Sequence, residues 1–172
     1  MVIHVNWSSY SPPVPVLGLG SWKTKTGLAS PPPSRVAASE WWEGLVKQYR
    51  GEGVEFGALP LAPQARLPRS LFDNVADNLV RNALAKRAME DNITVRVALQ
   101  CADFVLLRVC DSGSAIAEDL ASQLLRAPVG STSGLGIGLY QAAQLARASG
   151  YVLALEDNRD GAVCFVLSGP AR

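Results

Sequence analysis

The sequence predicts an α/β (α+β) sandwich, one mixed sheet covered on one face by helices, and three features carry that prediction. Leu71, Phe72, Val75, Leu79 and Ala83 recur at helical spacing within one long segment. Ile93, Val95, Val97 and Leu99, then Val105, Leu107 and Val109, alternate with polar or small residues as the two strands of a hairpin turning near Asp103. A second helical segment, Leu139 to Ala148, is followed by a closing strand pair, Tyr151–Glu156 and Val163–Leu167, around a turn at Asn158-Arg-Asp-Gly161. No internal repeat is present, and 172 residues suit one domain with a substantial core plus some extra length.

Taken in order, residues 1–36 hold six of the eleven prolines among serines and glycines, a composition that favours an extended or disordered lead-in. The folded domain is expected over 37–172. Ala37 to Tyr49 reads as a helix, with Trp41, Leu45 and Val46 at helical spacing, Ser39 as N-cap, and Gly51 and Gly53 ending it. Val54-Glu-Phe56 reads as a short strand and Gly57 to Pro68 as a breaker-rich stretch. Ser70 and Asp73 form a capping-box-like start to the long helix, which is expected to run to about Met89. After the hairpin, Ile116 to Arg126 is helical in pattern, Pro128 to Ser133 is a small-residue loop, and Gly150 terminates the helix that follows.

The formal net charge of +1 gives no electrostatic case for nucleic acid or an anionic membrane. No apolar run reaches the length of a membrane span, so the chain is expected to be soluble and cytoplasmic, although a parent protein could be membrane-anchored. Cys101, Cys110 and Cys164 are odd in number, lack C-x-x-C spacing and lie in strand-like runs, which predicts buried free thiols rather than disulfides or a zinc site.

Three segments carry polar chemistry. Asn78 and Asn82 stand one turn apart beside the buried stripe of the long helix; they are either solvated polar residues or amide oxygens for a metal ion and phosphates. Asp111 ends an apolar strand and is followed by Gly113; it is either a turn residue or a carboxylate accepting a hydrogen bond from the exocyclic amine of adenine. Gly134-Leu135-Gly136-Ile137-Gly138-Leu139 is either a hinge into a helix, a dinucleotide fingerprint, or a run of backbone N–H groups for phosphate oxygens. Against the fingerprint, no strand precedes the glycines and the third glycine falls out of register.

In this order and spacing the three segments resemble the ATP-binding catalytic domain of two-component sensor histidine kinases, in the GHKL (Bergerat-fold) ATPase superfamily. Phe72 to Arg87 resembles the N box, Asp111-Ser-Gly113-Ser-Ala-Ile116 the first glycine box and Gly134 to Leu139 the second, so the likeness spans about residues 38–170. The resemblance implies ATP and Mg²⁺ as ligands. It assigns Asn82 to the metal, Asn78 to the metal or phosphates, Asp111 to adenine and Gly113 to the base pocket. Gly134, Leu135, Gly136, Ile137, Gly138 and Leu139 then fall to the phosphate-binding helix start, with Lys86 or Arg87 adding positive charge near the phosphates. Ala117 to Ser133 corresponds to the lid. The chain departs from the family at Ala115, where a second glycine is usual, and in a reduced pre-lid segment, Leu124, Leu125 and Pro128.

The resemblance further implies transfer of the γ-phosphate to a histidine on a separate helical dimerisation domain, with a response regulator as the downstream partner. Relatives that hydrolyse ATP carry a glutamate where this chain has Asn78, and an amide cannot accept the proton of an attacking water. The single histidine, His4, has no helical hairpin around it. Two alternatives stay open: a serine/threonine kinase of the anti-sigma-factor type, and a non-catalytic module, either nucleotide-binding and regulatory or a docking module.

Overall fold

The computed structural model describes residues 34–128 and 135–171, apart from the side chains of residues 58, 59, 135 and 136. The main sheet contains β2 (Val54–Leu61), β4 (Val95–Cys101), β5 (Phe104–Asp111), β7 (Ala162–Pro170) and β6 (Val152–Arg159), in that spatial order. β2 runs parallel to β4, and every other neighbouring pair is antiparallel, so the sheet is mixed as the alternation implied. A parallel pair needs a crossover rather than a hairpin. Here the connection contains β3 (Arg66–Pro68) and α2 (Arg69–Arg87).

The inward residues of the sheet, among them Val95, Val97, Leu99, Val105, Leu107, Val163 and Leu167, are almost wholly buried. They meet the α2 stripe of Leu71, Phe72, Val75, Leu79 and Ala83, together with Leu139, Ala142, Ala143 and Ala146 of α4 (Leu135–Ala148). Phe72 is the hub. Its ring packs edge-on against Trp41 of α1 (Ala38–Gln48) at 5.3 Å and against Tyr151 at 5.6 Å. Truncating so central an aromatic to alanine costs about 3–5 kcal/mol through lost transfer energy and the cavity left behind.

Several local expectations are corrected. β1 (Arg35–Ala37) pairs antiparallel with β3, so ordered structure begins just inside the stretch assigned to the lead-in; the remainder of that stretch lies outside the described residues. Neither serine caps its helix. Ser39 and Ser70 lie within the first turns, and the N–H groups of Ala38 and Arg69 donate instead to the carbonyls of Ala65 and Ser34. Asp73 is drawn away from any capping role by the Trp41 indole, whose Nε1–H donates to its Oδ1 at 2.8 Å. The Gly57-to-Pro68 stretch is strand at both ends, because β2 continues along β4 through Gly57↔Ala98 and, after a register shift, Leu61↔Cys101. Pro60 is tolerated there, within the irregular part of an edge strand where a missing N–H is least costly.

The helix α3 (Glu118–Gln123) is shorter than the pattern Ile116–Arg126 suggested, and Leu124 beyond it joins the core. The helix that was to begin at Leu139 begins at Leu135. The thiol expectation holds for Cys101, which is buried and free, but not for Cys110 and Cys164, which are joined by a disulfide. These two lie directly opposite each other on β5 and β7, a juxtaposition created by strand register between residues 54 apart in sequence. Among the described residues no helix is long and apolar enough to cross a membrane.

Candidate functional site

Asn74, Asn78, Asn82 and Lys86 recur every fourth residue of α2 and so share one face of that helix. At the far end of this row stands Asp111, the last residue of β5, held between Val95 of β4 and Val163 of β7. The pairing on both sides fixes its backbone, and Asp111 is one of two buried polar or charged residues among those described.

Asp111 Oδ1 accepts two hydrogen bonds, from the Gly113 N–H at 2.9 Å and from Lys86 Nζ at 2.8 Å. Lys86 Nζ also donates to the Ser114 carbonyl at 2.5 Å. Gly113 is closely packed: a Cβ there would fall 2.6 Å from both Lys86 Cε and Ile93 Cδ1. The room left by the absent side chain is therefore taken up by the protein itself. Lys86, which with Arg87 was one of the two candidates for positive charge near the phosphates, is paired with Asp111 in this structure.

The loop after Asp111 is tied at each residue. Ser112 Oγ accepts the Thr94 N–H at 2.8 Å, and Glu90 accepts the Ser114 N–H at 2.9 Å and its O–H at 2.7 Å. These donors hold the Glu90 carboxyl below the usual carboxylate range. The Ala115 N–H donates to Asp160 Oδ1 at 2.8 Å, and Asn158 both accepts the Ile116 N–H and donates to its carbonyl, each at 2.8 Å. The Gly161 N–H completes the set by donating to the Gly113 carbonyl at 2.9 Å. Glu90, Asn158 and Asp160 did not stand out in the sequence. The signal for them is that the β6–β7 turn carries an Asn-x-Asp pair, and only the sheet topology brings that turn beside the loop.

The other end of the row is less satisfied. Asn78 Nδ2 donates to the Asn74 carbonyl at 2.8 Å, while its Oδ1 sits 2.3 Å from where a Cβ on Gly138 would be. A glycine at 138 thus lets α4 approach α2 at Asn78. Asn82 Nδ2 is buried and has no hydrogen-bond partner, alone in this among the described side-chain atoms. A buried amide left unpaired costs free energy, and such atoms mark places where a water, ion or ligand completes the set. The residue types fit Mg²⁺ and phosphate in kind: an amide oxygen can ligate the metal, and an unpaired amide N–H can donate to a phosphate oxygen. Gly138 brings Asn78 close to the start of α4, where first-turn N–H groups lack intrahelical partners.

The second glycine segment is distributed over different surroundings. Gly134 lies outside the described residues, as do Ser131, Thr132 and Ser133 of the expected lid. Leu135 and Gly136 open α4. Ile137 is exposed, Gly138 faces Asn78, and Leu139 is a core residue, so its part is packing rather than ligand contact. A separate concavity of about 610 Å³ between α1 and α2 reaches this row only at Asn74 and Asn78. The acids lining it are committed within the protein: Asp73 accepts the Trp41 N–H, and Asp77 accepts the Tyr49 O–H at 2.8 Å and Arg81 Nε at 2.9 Å. Burial, reinforced by Asp77, pushes the Tyr49 hydroxyl up to about 12.

A family profile described as histidine kinase-, DNA gyrase B-, and HSP90-like ATPase matches residues 67–171. Among solved structures, the nucleotide-free catalytic domain of histidine kinase ThkA is similar with a TM-score of 0.65 and 21% identity, over 80% of this chain and 97% of that one. The mycobacterial sensor histidine kinase MprB gives 0.62 and 19%, over 81% and 99%. Full-length ShkA in complex with AMPPNP gives 0.64 and 18%, over 84% of this chain and 33% of that one. At such identities the likeness is one of fold. No curated protein matches the chain. The profile spans more than half of the sequence and includes the Asn78–Asn82 row, Asp111 and both glycine segments; the chain belongs to the histidine kinase-, DNA gyrase B- and HSP90-like ATPase family, and its fold is that of a histidine-kinase catalytic domain.

Proposed function

We propose that the chain binds Mg·ATP and presents the γ-phosphate to a histidine carried by a separate helical dimerisation domain, in a cytoplasmic two-component system that ends in a response regulator. The observation that carries this reading is Asn82, whose buried Nδ2 is unpaired one helical turn from Asn78, the residue that meets Gly138 near the start of α4. In it, Asn82 ligates the metal, Asn78 supports the metal or phosphates, and Gly134, Gly136 and Gly138 offer backbone N–H groups at the helix start. Asp111 accepts the adenine amine, and the N–H groups its loop donates to Glu90, Asp160 and Asn158 hold that loop in place.

Bound magnesium supplies positive charge against the phosphate oxygens, as in other phosphotransferases. The chain's own contribution is positioning and electrostatic complementarity. Asn78 holds its neighbours by hydrogen bonds and has no basic atom with which to activate water, which favours transfer over hydrolysis. The non-catalytic module is the second reading, favoured by one observation: Lys86 and the tied loop already satisfy Asp111 Oδ1.

Calorimetric titration with a non-hydrolysable ATP analogue, with and without Mg²⁺, tests the proposal beside Asn82→Ala and Asp111→Asn. Magnesium-dependent binding weakened by both substitutions is expected. No binding at millimolar nucleotide would overturn it and leave a docking module with a closed pocket. Transfer is tested by supplying a histidine-bearing helical hairpin with labelled ATP, which should yield acid-labile phosphate on the hairpin and none on this chain.

A further inference from the structure

We infer that Lys86 is a latch on the base site: in the nucleotide-free chain its side chain occupies the position adenine must take, and a ligand displaces it only by bringing phosphate charge. The inference rests on the reading of Asp111 as the adenine acceptor. A purine needs the carboxylate and the space above Gly113, and Lys86 holds both. Its Nζ lies 2.8 Å from Asp111 Oδ1 with the two side chains only 18% and 9% exposed, and its Cε lies 2.6 Å from the Gly113 Cβ position.

Removing the lysine breaks a charge-assisted hydrogen bond in a largely dry setting and leaves an ammonium that needs a new anionic partner. The nearest acid along the chain is Glu90, just past the end of α2, and both of its oxygens already receive donors from Ser114. Asn82 and Asn78, one and two turns back on the same face, are neutral amides. A nucleoside therefore takes the lysine's place and offers its charge nothing in return. A nucleoside polyphosphate brings anionic oxygens to the Asn82 end, within one helical turn of Lys86. The base site so arranged selects for the phosphates as well as for the base.

The test compares adenosine with a non-hydrolysable ATP analogue plus Mg²⁺ on the full chain, on Lys86→Met, which keeps the stem and loses the charge, and on Lys86→Arg, which keeps the charge. Lys86→Met should bind adenosine about tenfold more tightly and the ATP analogue about tenfold more weakly, collapsing the ratio between them about a hundredfold. Lys86→Arg should retain most of the wild-type ratio. A readout needing no variant is the side-chain ammonium resonance of Lys86 in labelled wild-type protein, which should move with the ATP analogue at concentrations where adenosine, unable to displace the lysine, leaves it in place. ATP binding that leaves the Lys86 resonance unmoved, or a Lys86→Met ratio equal to wild type, would show a permanent structural pair and end the latch alone. Absence of binding by both wild type and Lys86→Met would remove the nucleotide reading and the latch with it.

Discussion

At the Asp111 end of the site the chain satisfies itself: Oδ1 takes a lysine and a backbone N–H, and the loop beyond is tied residue by residue to Glu90, Asn158, Asp160 and Gly161. At the Asn82 end, less than two turns away along the same face of α2, a buried amide is left without a partner. The difference separates two kinds of polar residue that look alike in a sequence. One kind is part of the folded structure and is missed when removed. The other is held in a costly state by the fold around it, and its removal should relieve the fold while disabling the site.

The largest effect is expected from Asp111→Asn. It removes the negative partner of a largely buried lysine and weakens the anchor of Gly113, so stability should fall by about 2 kcal/mol. Nucleotide affinity should fall about 100-fold with loss of the base acceptor. Denaturant unfolding and calorimetry read the two separately. Asn82→Ala should behave oppositely on the first axis. Deleting an unpaired buried amide offsets the small cavity it leaves, so stability should change by no more than about 1 kcal/mol while magnesium-dependent binding drops at least about tenfold. Equal destabilisation by the two substitutions would erase the contrast between the ends.

Gly138→Ala probes the seam between α2 and α4. Its Cβ would arrive 2.3 Å from Asn78 Oδ1, so the asparagine must turn away. Alanine regains about 1 kcal/mol of helix propensity over glycine, which offsets most of the steric cost, and the melting temperature should move little. The displaced Asn78 should still lower Mg·ATP affinity by about tenfold. Unchanged affinity would mean that the position of Asn78 does not matter to the ligand.

What the sequence disclosed of this arrangement follows a physical line. Periodicity located α2, the β4–β5 hairpin and the β6–β7 pair because a buried face leaves its period in the residues themselves. It could not show β2 continuing through Gly57 and Pro60, since that strand is stabilised by pairing with β4 some forty residues on. The Cys110–Cys164 bond and the Asn158–Ile116 clasp were hidden for the same reason, being consequences of register between distant segments. At the site, Asn78, Asn82 and Asp111 were visible as polar residues bordering apolar runs. The pairing of Lys86 with Asp111 was not, because a lysine on a helix reads as solvated until the strand end beside it is known.

The smallest effect tests whether Glu90 belongs with the self-satisfied end. Ser114 donates to it through both N–H and O–H, and this holds its carboxyl below the ordinary value. A depressed carboxyl pKa contributes stability above the unfolded-state value, and that contribution is lost as pH falls through the folded-state value. Wild type should therefore melt slightly above Glu90→Gln at neutral pH, and the two curves should converge as the solution is taken to below the carboxylate range. The difference is small because Glu90 lies at the surface, where water competes for the same donors. A gap that persists unchanged into acid would mean that the carboxylate charge contributes nothing at this position, and that the Ser114 loop is held by Asn158 and Asp160 alone.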